Sequence, residues 1–355
     1  MAFNFIMARL FVREFGGILA DPFLKRFPQL TPFPWSTEIE ITTRCHLRCV
    51  MCEHTYFPSE ERNWDLSFED FKKVIDQFPR LFWCNPTGEG SAFLNKDYMR
   101  MLEYLAKRGV CIDLVDSFDR LDKETIRKLV DLPVHRLWLS LDGVNKETYE
   151  QIKVGADFDR VIENIKYFVS YRNKKKANIP ELCVRFVIMK QNLSQMPDFV
   201  DFVCSLDPAV YALEFTRLME FPEVMDKITD VPEEIIEETK KRGKKYGVLL
   251  HINANVPHHE RTLPSISECV YWSDPYIMKD GYVISCCASL MSNKRSRLRD
   301  FAFGNIHEKS LKKIWESPEY KKFRCQVVAS YGPIPSQCVG CRFYNTKRPL
   351  KAPIK

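Results

Sequence analysis

Segments with the pattern of strands recur along the chain and alternate with segments of helical periodicity. The strand-like segments are residues 37–42, 80–86, 110–118, 134–143, 181–190 and 210–218. The helix-like segments are residues 67–79, 95–109, 122–132, 145–153, 157–176 and 193–206. Alternating units of this kind predict parallel strands joined by right-handed crossovers. The pattern therefore predicts an α/β fold, a partial (β/α)6 TIM-like barrel with one open side and its functional groups at the C-terminal strand ends.

Three cysteines follow the first predicted strand in the spacing C-x-x-x-C-x-x-C, at Cys45, Cys49 and Cys52. A structural zinc site takes four protein ligands, and a disulfide framework is typical of short secreted chains. Three thiolates can instead hold three irons of a 4Fe–4S cluster and leave the fourth iron open to another ligand. A chance group of buried or zinc-binding cysteines is the alternative interpretation.

Because this cysteine loop directly follows the first strand, the sequence resembles the radical S-adenosylmethionine (radical SAM) superfamily. The resemblance implies that Cys45, Cys49 and Cys52 hold a catalytic 4Fe–4S cluster whose open iron binds S-adenosylmethionine. It implies reductive cleavage of that cofactor and removal of a hydrogen atom from a substrate by the resulting 5′-deoxyadenosyl radical. An electron donor such as flavodoxin or ferredoxin would supply the electron.

Polar residues at two further strand ends match positions where the superfamily contacts its cofactor. Residues 87–90, TGEG, resemble the Gly-Gly-Glu-Pro motif, with Gly88 and Glu89 matching and the outer residues departing from it. A glycine permits close backbone approach and a carboxylate suits the ammonium of S-adenosylmethionine. The resemblance also places Ser140 and Asp142 at the ribose or the methionine carboxylate. A cap for the following turn is the equal alternative for Asp142.

Two charged residues remain open at the sequence level. Arg185 stands alone in the apolar part of the fifth strand, and a carboxylate on the cofactor or substrate is its expected partner. Its alternative is an outward position between helices. Asp116, at the end of the third strand, is either a substrate or acid–base group or a loop residue.

A second group of cysteines follows a predicted hairpin that turns at residues 279–281. The step from Gly281 to Cys286 resembles the SPASM/twitch extension of radical SAM enzymes. The resemblance implies an auxiliary 4Fe–4S cluster on four cysteines, Cys269, Cys286, Cys338 and Cys341. Cys287 is the substitute for Cys286, the role of Cys325 stays open, and zinc is the alternative metal. Too few cysteines remain for a second auxiliary cluster, which favours the one-cluster twitch form.

Two smaller sets of residues complete the prediction for this extension. Leu311, Ile314 and Trp315 form one apolar helix face. The other cysteines in strand and helix patterns are interpreted as plain core residues, namely Cys84, Cys111, Cys183 and Cys204.

The organisation predicted from these patterns is an apolar segment at 1–36, a barrel at 37–255 and the extension at 256–355. The apolar segment is expected to pack as helices, and contact with a membrane or lipid-like substrate is the alternative. A net charge of +6 gives no reason to expect nucleic acid. The basic runs at 172–176, 240–245 and 294–299 are interpreted as solvated helix ends and loops. Thirteen cysteines without a recognisable signal peptide indicate a reducing, cytoplasmic location.

The expected reaction is oxidation or epimerisation of a small molecule of the sugar or aminocyclitol type. Modification of a peptide, a protein or a lipid is the alternative within the superfamily. A two-cluster electron-transfer protein is the alternative of another class, and it would leave Glu89 and Ser140 without a function.

Overall fold

The computed structural model describes residues 24, 26–254, 273–287, 295–329 and 332–338. The strands are β1 (Ser36–Glu40), β2 (Arg48–Cys49), β3 (Trp83–Thr87), β4 (Cys111–Asp116), β5 (Val134–Ser140), β6 (Lys153–Val154), β7 (Glu181–Ile188), β8 (Ala212–Arg217), β9 (Leu249–Asn253), β10 (Tyr276–Ile277), β11 (Tyr282–Ile284) and β12 (Gly304–Asn305). The helices are α1 (Phe68–Asp76), α2 (Tyr98–Lys107), α3 (Lys123–Asp131), α4 (Lys146–Ile152), α5 (Phe158–Lys174), α6 (Met196–Leu206), α7 (Glu233–Tyr246), α8 (Arg295–Asp300), α9 (Leu311–Trp315) and α10 (Pro318–Val328).

One twisted sheet carries ten of these strands in the order β12-β11-β10-β1-β3-β4-β5-β7-β8-β9. Its neighbours from β10 to β9 are parallel, whereas β11 and β12 pair antiparallel. This is the partial TIM-like barrel that the alternating pattern predicts. The six predicted strands correspond to β1, β3, β4, β5, β7 and β8. Strand β9 and helix α7 were not predicted.

The apolar faces of the parallel strands pack against the helices, as the alternating pattern requires. Phe186 on β7 contacts Phe199 on α6 with ring centroids 4.7 Å apart, and Phe215 on β8 joins them. The next residue on β7, Arg185, points to the opposite side of the sheet, because successive side chains of a strand alternate. Several helices begin at a side-chain cap. Asp122 precedes α3, for example, and its carboxylate accepts a bond of 2.7 Å from the Thr125 backbone N–H.

The C-terminal extension continues the barrel sheet. Strand β10 pairs with β1 in parallel, with Glu38 opposite Tyr276, and turns through Gly281 into β11 as a hairpin. The predicted apolar face of α9 is confirmed, because Leu311, Ile314 and Trp315 are buried in the same core as the barrel helices. The domain limits at 36 and 255 stay predictions.

Two basic side chains correct the interpretation of their runs as solvated. Arg172 is buried and binds both carboxylate oxygens of Asp207 at 2.8 Å. Arg295 is buried among carboxylates of the barrel. Such burial is compatible with a guanidinium only where carboxylates replace the lost water.

Some expectations concern residues that the structure does not describe. The apolar segment lies outside the described residues up to position 23, and so do Cys269 and Cys341. Within the described ranges, no helix combines the length and apolar character needed to cross a bilayer. The expected core cysteines are confirmed as buried, namely Cys84, Cys111, Cys183 and Cys204.

Candidate active site

The loop that carries Cys45, Cys49 and Cys52 begins at the C-terminal end of β1, where the barrel pattern predicts function. All three side chains are half-buried and none forms a disulfide. Burial raises the pKa of each thiol, to about 11 for Cys49, so the bare protein holds them protonated. The loop therefore presents three neighbouring sulfur donors that an iron–sulfur cluster can take up with loss of their protons.

Backbone and side-chain bonds fix this loop along its length. Strand β2 within it pairs antiparallel with β6, with Cys49 opposite Lys153. The His46 Nε2 atom lies 2.6 Å from the Asp119 carboxylate, and the His54 Nε2 atom lies 2.6 Å from the Thr43 carbonyl oxygen. A loop held at so many points has a defined course without a bound metal.

The turn after β3 packs directly on the cysteine loop. Gly88 has a φ of +89°, a conformation that favours glycine, and a Cβ there would lie 2.8 Å from the Glu40 Cγ atom. The Gly90 N–H donates to the Thr42 carbonyl at 3.2 Å, and a Cβ on Gly90 would lie 2.5 Å from that oxygen. The two glycines thus let the turn pack closely against the end of β1 and the cysteine loop, and one of them, Gly90, departs from the family pattern.

Glu89 is buried between these two loops and retains an unused acceptor. Its Oε2 atom lies 3.2 Å from the Arg295 guanidinium, and its side chain is only 6% exposed. Its Oε1 atom is buried without a hydrogen-bond partner among the described residues. Burial raises the pKa of Glu89, and the Arg295 charge opposes that rise. An acceptor of this kind suits a cationic donor such as an ammonium.

Lys153 is a residue of the candidate site that the sequence analysis missed. Its ammonium lies 2.9 Å from the Ser140 hydroxyl and 3.1 Å from the Asp142 carboxylate, and its side chain is 4% exposed. Burial disfavours its charge, but Asp142 and the nearby Cys49 outweigh that effect and raise the pKa of Lys153. Lys153 follows a short helix in a polar segment, so the local sequence gives no sign that it is buried. Only the pairing of β6 with the cysteine loop, which the sequence does not reveal, places it at the site.

Asp142 does not cap the following helix, which was the alternative considered for it. Besides the Lys153 ion pair, its Oδ1 atom accepts a bond of 2.7 Å from the Val187 backbone N–H. The helix that follows is capped by Asn145 instead. Ser140 and Asp142 are therefore brought together by one buried cation beneath the cysteine loop.

Arg185 lies on the barrel interior rather than between the helices. Its Nε atom lies 2.6 Å from a carboxylate oxygen of Glu214, which stands opposite it on β8. Its guanidinium carbon lies 5.0 Å from the centre of the Trp138 ring. The protein itself supplies a carboxylate partner, and the side chain keeps 26% exposure toward the interior.

Asp116 is buried at the end of β4, where burial raises its pKa to about 7. Its Oδ1 atom accepts a bond of 2.6 Å from the Phe118 N–H, and Phe118 has a φ of +62°. The carboxylate stabilises this left-handed residue, which gives Asp116 a structural role whichever sequence alternative holds.

The donor set of three thiols fits an iron–sulfur cluster. Within the described ranges, no three His, Cys, Asp or Glu side chains converge on one metal position. A cubane cluster does not need such convergence, because each thiolate binds a different iron.

Two family models match the chain. The radical SAM superfamily model matches residues 39–203, and the model of the SPASM iron–sulfur cluster-binding domain matches residues 269–342. The chain therefore carries a radical SAM domain followed by a SPASM domain. The first uses a 4Fe–4S cluster with S-adenosylmethionine, and the second is an iron–sulfur cluster-binding domain.

This radical SAM protein is similar to characterised relatives over different shares of its length. It is 27% identical over 301 residues to a tungsten-containing aldehyde ferredoxin oxidoreductase cofactor-modifying protein of Pyrococcus furiosus, covering 81% of this chain and 82% of the relative. It is 24% identical over 177 residues to a PqqA peptide cyclase of Bradyrhizobium diazoefficiens, covering 49% of this chain and 44% of that one. The crystal structure of Streptococcus suis SuiB bound to S-adenosylmethionine shares its fold, with a TM-score of 0.65, 18% identity and coverage of 90% and 74% of the two chains.

Proposed function

We propose that this radical SAM enzyme modifies a peptide, with Cys45, Cys49 and Cys52 as ligands of the cluster that binds S-adenosylmethionine. The observation that carries the site assignment is the position of these thiols beside the unused Glu89 acceptor and the buried Lys153 cation. The cluster and S-adenosylmethionine supply the radical that removes a hydrogen atom from the substrate. The chain's own residues bind, orient and shield the reacting groups.

Each neighbouring residue has a defined part in this proposal. Gly88 lets the turn approach closely, and Glu89 accepts from the cofactor ammonium through its Oε1 atom. Lys153 neutralises nearby negative charge and holds Ser140 in place. Arg185 and Glu214 line the barrel interior as polar groups for the substrate.

Two observations favour a peptide over a sugar-like molecule. The relative that acts as a PqqA peptide cyclase matches about half of this chain. Large apolar side chains are also exposed on loops that follow β1 and β8, with Tyr56 and Trp64 39% exposed and Met225 54% exposed. A sugar offers little apolar surface to cover such residues, whereas peptide side chains can bury them. The small-molecule reaction remains the alternative.

The auxiliary cluster belongs to the same proposal. Cys269, Cys286, Cys338 and Cys341 are its proposed ligands, of which Cys286 and Cys338 are among the described residues. Cys287 contacts Glu38 of the barrel instead, which favours Cys286 as the ligand of the pair. We assign the auxiliary cluster the role of accepting the electron of the substrate radical, which makes the net reaction an oxidation. A flavodoxin or ferredoxin in the cytoplasm is the proposed electron donor.

The first experiment counts irons and measures cofactor cleavage in protein prepared without oxygen. We expect about eight irons per chain and release of 5′-deoxyadenosine under reducing conditions. Replacing Cys45, Cys49 and Cys52 by Ala should leave about four irons and abolish 5′-deoxyadenosine. The matched control Cys204→Ala removes a buried core thiol and should retain both properties. Full iron in the triple variant would contradict the ligand assignment.

The second experiment tests the substrate. Peptides encoded next to the gene are incubated with the reduced enzyme, and mass spectrometry follows the peptide while chromatography follows 5′-deoxyadenosine. A peptide mass change in proportion to 5′-deoxyadenosine supports the proposal. Stimulation by a cell extract freed of peptides, with no peptide modified, would favour the small-molecule reaction.

A second candidate function is modification of another enzyme's cofactor. It is favoured by the Pyrococcus relative, a cofactor-modifying protein by name, because that match spans most of both chains. The same assay distinguishes it, since the modified product would then be a cofactor in the peptide-free fraction.

A further inference from the structure

Three barrel carboxylates surround the buried guanidinium of Arg295, which comes from the C-terminal extension. Arg295 donates to both carboxylate oxygens of Glu40 at 2.7 Å and to Glu89 at 3.2 Å. Its Nε atom lies 3.5 Å from Glu61, and its side chain is 1% exposed. A guanidinium buried to this degree is stable only in a fixed geometry that satisfies its charge.

The partners of Arg295 belong to the two segments that form the proposed cofactor site. Glu40 is the last residue of β1 and precedes Cys45 by one short loop. Glu89 lies in the turn that packs on that loop, where the neighbouring Gly90 N–H donates to the Thr42 carbonyl oxygen at 3.2 Å. One side chain of the extension thus holds both the base of the cysteine loop and the cofactor motif.

The second oxygen of Glu89 shows what this contact does. Because Arg295 engages Oε2, the carboxylate plane is fixed while Oε1 stays buried without a partner in the described part of the chain. Without Arg295, the Oε2 atom would lose this donor, and the buried carboxylate would lose the contact that holds its orientation.

We propose that Arg295 is a positioning residue through which the C-terminal extension completes the S-adenosylmethionine site of the barrel. This inference builds on the proposed role of Glu89. The extension therefore has two roles. It carries the auxiliary cluster, and it orients the Glu89 carboxylate that accepts from S-adenosylmethionine.

The proposal predicts a specific loss of cofactor affinity. Reconstituted protein is compared with Arg295→Gln and Arg295→Lys by equilibrium dialysis with S-adenosylmethionine, by iron analysis and by electron paramagnetic resonance of the reduced cluster. We expect Arg295→Gln to keep its iron, to bind about 10- to 100-fold more weakly, and to lose the spectral change on cofactor addition at concentrations that saturate the wild type. The affinity of Arg295→Lys for S-adenosylmethionine should lie between those of the wild type and Arg295→Gln, since a single ammonium cannot span Glu40 and Glu89 as a guanidinium does.

Arg299→Gln is the matched control. Arg299 lies on the same helix and shares Glu61 at 3.1 Å, but its other partner is Asp280 rather than Glu40 or Glu89. It should bind S-adenosylmethionine within about twofold of the wild type. An equal loss in Arg299→Gln would assign the effect to general loosening of the extension and overturn the inference.

Other outcomes are equally decisive. Unchanged or tighter binding by iron-loaded Arg295→Gln would mean that the guanidinium only competes with the cofactor ammonium, and the inference would be wrong. If Arg295→Gln does not fold, wild-type affinity in Arg295→Lys overturns it instead. Absence of S-adenosylmethionine binding in the wild type would contradict the proposed function itself.

Discussion

At the scale of single residues, Asp116 is a carboxyl group that keeps its proton to a higher pH in the folded chain than in the unfolded chain. Burial raises its pKa from 3.8 to about 7. The folded state therefore binds a proton that the unfolded state has already released between these values. This contribution to stability is complete below pH ~4 and is lost as the pH rises through about 7.

Asp116→Asn should remove this dependence, because the amide is neutral and its oxygen can still accept from the Phe118 N–H. Relative to the wild type, we expect the free energy of unfolding of the variant to gain about 2–3 kcal/mol between pH 5 and pH 8. Urea unfolding of the metal-free protein at both pH values measures the difference. Asp122→Asn, at an exposed helix cap whose pKa is lowered by the bond from Thr125, should show no such gain. A constant difference between Asp116→Asn and the wild type would refute the burial argument.

The residues that sequence reasoning missed have partners that only the folded chain supplies. Arg295 and Glu40 are 255 positions apart, so nothing in the local sequence distinguishes this arginine from its solvated neighbours. The sequence could propose five site residues because their spacing and their place after a strand are local properties, namely Cys45, Cys49, Cys52, Gly88 and Glu89. The partner of Arg185 on the next strand could not be predicted, since the register of β7 and β8 was unknown.

At the scale of elements, the turn after β3 supports the cysteine loop through Gly90. Gly90→Ala would place a methyl group about 2.5 Å from the Thr42 and Arg44 carbonyl oxygens, which must then move. We expect a loss of about 1–3 kcal/mol in the free energy of unfolding and a reduced iron content of the first cluster. Chemical unfolding and iron analysis after reconstitution measure both effects.

Gly247→Ala is the control for this change. Gly247 ends α7 with a φ of +66° and has open space around its Cα, so the substitution costs only the left-handed backbone strain of about 1 kcal/mol. Its iron content should equal that of the wild type. The support role of the turn would be excluded if Gly90→Ala also kept all of its iron.

Most barrel elements could be predicted because each has a clear apolar period and a turn or cap at its end. Helix α7 was not predicted, because Gly243 interrupts a run of basic residues and the segment resembles a loop. In the structure that glycine is buried and lets α7 approach Leu250 on the short strand β9. A glycine chosen for close packing and one chosen for a turn look the same in a sequence.

At the scale of the whole molecule, the barrel and the extension share one core. Trp315 and Tyr320 from the extension belong to the same buried cluster as Phe71 and Phe78 from the barrel. Within the described residues, β10 also covers the edge of β1 that faces away from β3. The two parts are therefore expected to unfold together.

Calorimetry of the metal-free protein should accordingly show a single cooperative transition. A chain shortened to residues 1–255 should aggregate or unfold at a much lower temperature, because it exposes the apolar surface that α9 and α10 cover and the edge of β1. Solubility and circular dichroism of the shortened chain check this. Two separate transitions, or a shortened chain with an unchanged midpoint, would show that the parts are independent.

The pairing of β1 with β10 has a consequence for the synthesis of the protein. The Thr37 hydroxyl donates to the Pro275 carbonyl across 238 positions. During synthesis, β1 therefore gains its second neighbouring strand only after every barrel strand has left the ribosome. Contacts of such long range form late and slowly. Until then, one edge of β1 is unpaired and can pair wrongly with another strand, and the cysteine loop that follows β1 is accessible to oxidants. Insertion of iron into the first site is thus best timed after translation has passed the hairpin, which places cofactor loading at the end of biogenesis.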